Sequence, residues 1–277
     1  MLSYQHSFHA GNRADVIKHA CLHLTLRLMR RGQGEIRYLE THAGRGLYDL
    51  HCAAAQKNRE YETGIAVALS AKGVGPDLGA YLACVRRFSP TRAPRWYPGS
   101  PVIAAGLLAS HDRIDLAELH PQEHAALQDT FKHDPRVRIA KADGFELAGK
   151  LRPRAGVRTA LLIDPSYELK TDYLAVVDLA ERVRSADPRA VILIWYPVMA
   201  DGREGVLLRR AESRLPEAAM LQAVWATPDP KARALVGAGL LAVGLPRQHV
   251  RRLRALSDTV GRVFAPPAGA PASKPED

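Results

Sequence analysis

Short apolar runs alternate along this chain with segments in which apolar residues recur at helical spacing. Five runs are predicted as strands of one sheet: 35–40, 113–119, 137–143, 158–164 and 190–196. Strands that alternate with helices form a parallel, doubly wound sheet with helices on both faces. Two later apolar segments, 219–227 and 238–245, are predicted to add an antiparallel pair. The pattern therefore predicts an α/β, Rossmann-like domain with an added hairpin.

The interval between the first and second predicted strands is far longer than a strand–helix unit requires. Its sequence has mostly helical periodicity, which predicts a helical insertion subdomain over 48–98. Residues 1–47 then hold an N-terminal motif, the first helix (14–31), the first strand and a glycine-containing turn. Residues 99–264 form the remainder of the domain, and the Pro- and Ala-rich segment 265–277 is expected to be a disordered tail.

The chain is basic, with a formal net charge of +10 and a pI near 9.7. This charge favours a polyanionic partner such as a nucleic acid, although a generally basic surface gives the same balance. No apolar run is long enough to span a bilayer, and the N-terminal residues are too polar for a signal peptide. We expect a cytoplasmic protein with no membrane partner. Three cysteines without close pair spacing predict reduced thiols and no metal site.

Polar residues stand where three of the predicted parallel strands end, which is the edge where open α/β sheets bind ligands. Glu40 leads into the turn Thr41–Gly46, whose glycines allow a tight backbone turn. Glu118 can accept hydrogen bonds from both hydroxyls of a ribose. Asp143 and Gly144 can bind an adenine ring. Each feature alone also fits an ordinary turn or surface acid, but together they predict a nucleoside pocket for NAD or S-adenosylmethionine.

The fourth predicted strand ends in Asp164-Pro165-Ser166-Tyr167. The Asp164 carboxylate and the Pro165 carbonyl can accept both N–H bonds of an exocyclic amine, while Tyr167 stacks on its base. Alone this motif is usually a turn. At this position a dehydrogenase has no evident use for it, so the set predicts amino methylation from S-adenosylmethionine. The substrate is an adenine of RNA or DNA, or a protein amide; a non-catalytic RNA-binding protein is the remaining alternative.

Six segments together carry a resemblance to one known family. They are LSYQHSFHAGNRADVIKH (2–19), ETHAGRG (40–46), YPGSP (97–101), DG (143–144), DPSYE (164–168) and IWYP (194–197). In order and spacing they resemble the RlmJ family, bacterial methyltransferases that act on adenine N6 in 23S ribosomal RNA. The resemblance covers nearly the whole chain except its tail. It implies a class I S-adenosylmethionine-dependent methyltransferase fold with a small helical insertion, in a monomer.

The resemblance also implies roles for individual residues. Asp164 would be the catalytic acceptor, and Tyr4, His6 and Lys18 would belong to an N-terminal segment folded over the active site, with Tyr4 near the target base. The contacts to S-adenosylmethionine would come from His19, His42, Ser100, Glu118, Asp143, Gly144 and Asp164. The plainer alternatives are a packed histidine at position 19, a solvated charge at Lys18 and a helix N-cap at Ser100.

Two positions depart from the family pattern. Ser166 stands where the family usually has a second proline, and Glu40 stands where aspartate is usual. The acceptor groups and the aromatic ring are retained, so activity is still expected. The Arg-rich stretch His249–Arg254 either binds phosphate or forms a solvated helix face, and the sequence slightly favours the solvated face.

Overall fold

A computed structural model describes residues 5–90, 94–226 and 234–265 of the chain. Seven strands form one sheet in the order β5-β4-β1-β6-β7-β9-β8, and β2 and β3 form a separate antiparallel ribbon. The strands are β1 Glu35–Glu40, β2 Leu47–Asp49, β3 Trp96–Pro98, β4 Arg113–Ala117, β5 Val137–Ala140, β6 Val157–Ile163, β7 Val191–Met199, β8 Ala219–Val224 and β9 Leu235–Val243.

The first five strands of the sheet are parallel, whereas β9 pairs antiparallel with both β7 and β8. The predicted doubly wound sheet with an added antiparallel pair is confirmed. Chain order reverses at β1, which lies between β4 and β6, so this is the switch point where such sheets bind ligands. Glu40 stands opposite Leu116 of β4 and Leu162 of β6, which places the carboxyl ends of these three strands side by side.

Eleven α-helices lie in the described part of the chain, after a short 3-10 turn at His6–Phe8. They are α1 Arg13–Arg30, α2 Ala53–Asn58, α3 Glu60–Thr63, α4 Ile65–Ser70, α5 Gly75–Arg86, α6 Ser100–Leu107, α7 Pro121–Phe131, α8 Gly144–Gly149, α9 Asp172–Ala186, α10 Gly205–Arg214 and α11 Arg247–Phe264. Within residues 5–90, 94–226 and 234–265, no helix combines the length and apolar character needed to cross a membrane.

Some predicted elements differ from the observed ones. The third strand ends at Ala140 rather than at residue 143, because Asp143 is the N-cap of α8. Gly99, not Ser100, is the N-cap residue of α6. The β2–β3 ribbon was not predicted, since strands of three residues are too short to show a period-two pattern. Residues 227 and 266–277, including nearly all of the predicted tail, lie outside the described residues.

Helix α1 is almost entirely buried: it packs against β9 and three helices, α5, α6 and α11. Fifteen of its eighteen residues are buried, including Asp15, Lys18 and His19. A charged group inside a protein is unfavourable unless a partner compensates it. The partners of these three side chains therefore define the region to examine for function.

Candidate functional site

Lys18 connects helix α1 to the carboxyl end of β6. Its Nζ lies 2.7 Å from Asp164 Oδ2 and 2.9 Å from Asp15 Oδ1, and 5.7 Å from the ring centroid of Trp195 on β7. Burial alone would lower the pKa of Lys18, but the two carboxylates outweigh burial and hold that pKa well above its ordinary value. Lys18 is therefore a fixed ammonium beside Asp164.

Asp15 joins the N-terminal segment to this ammonium. Its Oδ2 accepts hydrogen bonds from His6 Nε2 at 2.8 Å and from the Gly11 amide at 2.9 Å. Its Oδ1 contacts Lys18 and lies 3.9 Å from His19 Nε2. Burial opposes ionisation of this carboxyl, yet its contacts with His6 and Lys18 set its pKa well below the usual range. The result is a continuous chain of contacts from His6 through Asp15 and Lys18 to Asp164.

His19 lies on the same helix but faces a buried tyrosine pair. Its Nδ1 is 2.7 Å from Tyr97 Oη, which is 2.9 Å from Tyr81 Oη. Burial lowers the pKa of His19 to about 3, so the imidazole is neutral at physiological pH. Only 1% of the residue is exposed, because α6 packs against α1 and Tyr97 covers the imidazole.

Glu40, the last residue of β1, is fully buried. Tyr38 Oη donates a hydrogen bond to its Oε2 at 2.7 Å, and Ser100 Oγ donates to its Oε1. Burial raises the pKa of Glu40 to about 8, although both hydrogen bonds act to lower it. Ser100 therefore uses its hydroxyl to tie the start of α6 to the end of β1.

Glu118 follows β4 and holds the glycine-containing turn after β1. Its Oε2 accepts the Gly44 amide at 2.7 Å and its Oε1 accepts the His120 amide at 2.7 Å. Burial raises its pKa despite these two bonds. A carboxylate oxygen has two lone pairs, so each oxygen keeps one acceptor position after these bonds.

The start of α8 is built against the same turn. Asp143 Oδ1 accepts the amides of Phe145 and Glu146, at 2.7 and 3.3 Å, and the residue is exposed. A Cβ on Gly144 would lie 1.9 Å from the Thr41 carbonyl oxygen, so only glycine fits there. His42 Nδ1 is 2.8 Å from Thr41 Oγ1, and burial lowers the pKa of His42.

The segment after β6 has an unusual backbone conformation. Tyr167 has φ of +55°, a left-handed conformation that is uncommon for a bulky residue. Its Oη donates to the Trp195 carbonyl oxygen at 2.5 Å, and its ring lies 4.7 Å from that of Tyr173. Pro165 is buried, whereas Ser166 is exposed. Constrained backbone of this kind clusters at functional sites, which agrees with the position of the segment beside Asp164.

Comparison with known proteins identifies the family. The family model described as "Ribosomal RNA large subunit methyltransferase D, RlmJ" matches residues 34–274. The chain belongs to the RlmJ family. It is therefore an enzyme of the methyltransferase class, and its sheet is the class I methyltransferase fold expected from the sequence.

Individual relatives match this chain over most of their length. Ribosomal RNA large subunit methyltransferase J of Escherichia coli is 36% identical over 246 residues, covering 89% of this chain and 88% of the relative. The protein of the same name from Haemophilus influenzae is 34% identical and covers the same shares. The crystal structure of LPL1258 from Legionella pneumophila is 29% identical with a TM-score of 0.84, covering 94% of this chain and 95% of that one.

Seven of the predicted site residues of this RlmJ family member fall into two groups in the structure. One group is joined by direct contacts in the chain that ends at Asp164: His6, Lys18 and Asp164. The other group lies at the turn after β1 and the strand ends beside it: His42, Glu118, Asp143 and Gly144. His19 and Ser100 are buried in the interior next to these groups. Tyr4 lies outside the described residues.

Sequence reasoning did not single out Asp15, Tyr97 or Trp195. Asp15 stands three and four residues before Lys18 and His19, so all three share one face of α1. The cluster of charged residues on an otherwise apolar helix is a sequence signal that could have identified Asp15 as a site residue. Tyr97 and Trp195 lie on strands remote from α1 in sequence, and no local pattern reveals those contacts.

Proposed function

We propose that this enzyme transfers the methyl group of S-adenosylmethionine to the exocyclic N6 amine of an adenine in 23S ribosomal RNA. The observation that carries the proposal is the Asp164 carboxylate at the end of β6, with buried Pro165 after it and the Lys18 ammonium 2.7 Å away. Membership of the RlmJ family supports the same substrate.

The strand ends suit S-adenosylmethionine, which supplies an electrophilic methyl group when bound. Glu118 keeps one acceptor position on each oxygen, which matches the two hydroxyls of a ribose. Asp143 is exposed, and the close contact of the neighbouring Gly144 with the Thr41 carbonyl holds the start of α8 against the turn after β1. In this proposal His19, His42, Ser100, Glu118, Asp143, Gly144 and Asp164 form the cofactor site, with His19 and Ser100 supporting it from the interior.

Asp164, Pro165 and Tyr167 are the proposed catalytic residues. The adenine amine is a weak nucleophile because its lone pair is delocalised into the ring. Hydrogen bonds from its two N–H groups to the Asp164 carboxylate and the Pro165 carbonyl favour a pyramidal nitrogen with an available lone pair. The Lys18 ammonium balances the negative charge of Asp164 while it accepts. Position and electrostatics, rather than strong base catalysis, then supply most of the rate.

The substrate side of the proposed site is formed by Tyr4, His6, Lys18 and Tyr167. His6 and Lys18 hold the N-terminal segment against Asp164 through Asp15. The Tyr167 ring lies among Tyr173 and Trp195, which gives a flipped-out base an aromatic surface. We further propose that the enzyme acts in the cytoplasm as a monomer and that residues 48–98 form its helical insertion subdomain.

The test uses labelled S-adenosylmethionine, the purified enzyme and protein-free 23S rRNA from a strain that lacks it. Digested product should contain the label in N6-methyladenosine, and Asp164→Ala should abolish that label while the protein stays folded. The matched control is Asp129→Ala, an exposed carboxylate on α7. Full activity of Asp164→Ala would exclude the proposed acceptor role.

Two alternatives have distinct outcomes in the same experiment. Label in DNA adenine or in a protein amide, with none in RNA, would retain the chemistry and change the substrate. Absence of S-adenosylmethionine binding by calorimetry would indicate a non-catalytic RNA-binding protein.

A further inference from the structure

Helices α1 and α11 pack side by side in opposite directions. At one end, the Arg13 guanidinium lies 6.0 Å from the Phe264 ring, near the start of α1 and the end of α11. At the other end, the charge of Arg31 acts on His249 near the start of α11. The first end is the one that carries Lys18 and Asp164. The second end lies at the opposite edge of the sheet, where Arg30 pairs with Asp112 just before β4.

Four exposed arginines gather at this second end. Arg247, Arg251 and Arg254 are spaced by four and three residues, so they share one face of α11 and cover roughly 10 Å of its axis. Arg31 at the C-cap of α1 extends the group across the helix pair. We call Arg31, Arg247, Arg251 and Arg254 the far-edge arginine patch.

The positive charge of the patch is not neutralised by neighbouring carboxylates in the described part of the chain. None of its members forms an ion pair with a carboxylate in residues 5–90, 94–226 and 234–265, whereas the neighbouring Arg30 and Arg252 pair with Asp112 and Asp77. The sequence has no acidic residue between Gly244 and Ser257. An uncompensated cluster of guanidinium groups suits phosphates, which arginine binds through two parallel hydrogen bonds.

We infer that the far-edge arginine patch is a second RNA-docking surface that holds the phosphate backbone of the substrate away from the target adenine. The inference rests on the proposed function. Lys18 and Arg31 are separated by about 20 Å along the axis of α1. A structured RNA can reach from the active site to the patch, but an RNA stem shorter than this separation cannot. The patch therefore contributes affinity for extended RNA and contributes nothing to the chemistry.

The test compares R247A/R251A/R254A with a control of equal charge, R154A/R182A/R209A. The control residues are exposed arginines without an ion pair in the described ranges, and Arg182 and Arg209 lie on helices α9 and α10 of the other sheet face. Each protein is assayed on protein-free 23S rRNA and on a short hairpin cut around the methylated adenine. Filter binding is measured in parallel over a series of salt concentrations.

For the patch variant we expect KM for 23S rRNA to rise about tenfold or more, with kcat and S-adenosylmethionine affinity unchanged. The slope of log affinity against log salt should fall by about 2, since each lost phosphate contact removes roughly 0.7–0.9. Activity on the short hairpin should stay within about twofold of wild type. The control should match wild type on both RNAs.

Equal behaviour of the patch and control variants on 23S rRNA would overturn the inference. Both variants are also tested for binding to anionic phospholipid vesicles. Unchanged RNA binding with lost vesicle binding in the patch variant would overturn the inference and would assign the patch to a lipid surface. Failure of the proposed function is recognised separately, because the wild-type enzyme would then methylate neither RNA.

Discussion

At the scale of single residues, the candidate site depends on how two carboxylates, Asp15 and Asp164, share one ammonium. Asp15 is 1% exposed, and Lys18 is 6% exposed. If a buried lysine had only one carboxylate partner, its charge would lose compensation whenever that carboxylate bound another group. In the proposed mechanism, Lys18 keeps Asp15 as a partner while Asp164 accepts an incoming amine. We therefore propose Asp15 as a positioning residue that acts through Lys18.

Asp15→Asn should lower kcat by roughly 10- to 100-fold, because a displaced Lys18 no longer orients Asp164. The affinity for S-adenosylmethionine, measured by calorimetry, should stay near that of wild type. Asp258→Asn on the exposed face of α11 is the control for an Asp-to-Asn change. Circular dichroism establishes that the variant is folded, and a folded Asp15→Asn enzyme with wild-type kcat would contradict the positioning role.

At the scale of elements, the helices of the insertion hold the N-terminal segment in place. Glu60 of α3 contacts His9 Nδ1 at 2.6 Å and Asn12 Nδ2 at 3.0 Å. The Ile65 amide of α4 donates to the Gly11 carbonyl at 2.8 Å. Since the Gly11 amide binds Asp15, the insertion supports the chain of contacts that ends at Asp164.

Gly64→Ala should disturb the contact between the insertion helices and the N-terminal segment. A Cβ at position 64 would lie 2.1 Å from the Gly11 carbonyl oxygen and 2.6 Å from the Asn12 backbone, and neither atom can move without shifting the segment. We expect a loss of about 1–3 kcal/mol in the free energy of unfolding, with a parallel decrease in kcat. Urea denaturation and steady-state kinetics measure the two effects.

Gly106→Ala is the matched control, because no atom lies within 4 Å of its added Cβ on α6. Alanine there should leave activity unchanged and keep or slightly raise stability. Similar losses in both variants would show that the contact between the insertion and the N-terminal segment has no special role.

At the scale of the whole molecule, one buried carboxyl group links global stability to pH. The pKa of Glu40 is raised to about 8 by burial, compared with an ordinary value of 4.5. Between these values the folded protein binds a proton that the unfolded chain has released. The stabilisation from neutral Glu40 is therefore complete below about pH 4.5 and is lost as pH rises through about 8.

Glu40→Gln, which keeps a neutral side chain at every pH, should remove this part of the pH dependence. The free energy of unfolding of the variant, relative to wild type, should increase from pH 5 to pH 9. Urea denaturation at several pH values measures it, and Glu212→Gln, at an exposed position on α10, serves as the control. Parallel profiles for Glu40→Gln and wild type would show that Glu40 is ionised in the folded protein.

The sequence by itself determined the doubly wound sheet and the antiparallel last pair, because both follow from local periodicity. It also placed Glu40, Glu118 and Asp164 at strand ends, since parallel strands bring consecutive carboxyl ends to one edge. Only the tertiary structure decided that Lys18 contacts Asp164, that Tyr97 contacts His19 and that the far-edge arginine patch includes Arg31. These contacts join residues far apart in the chain, and packing, rather than any local pattern, determines which of them meet.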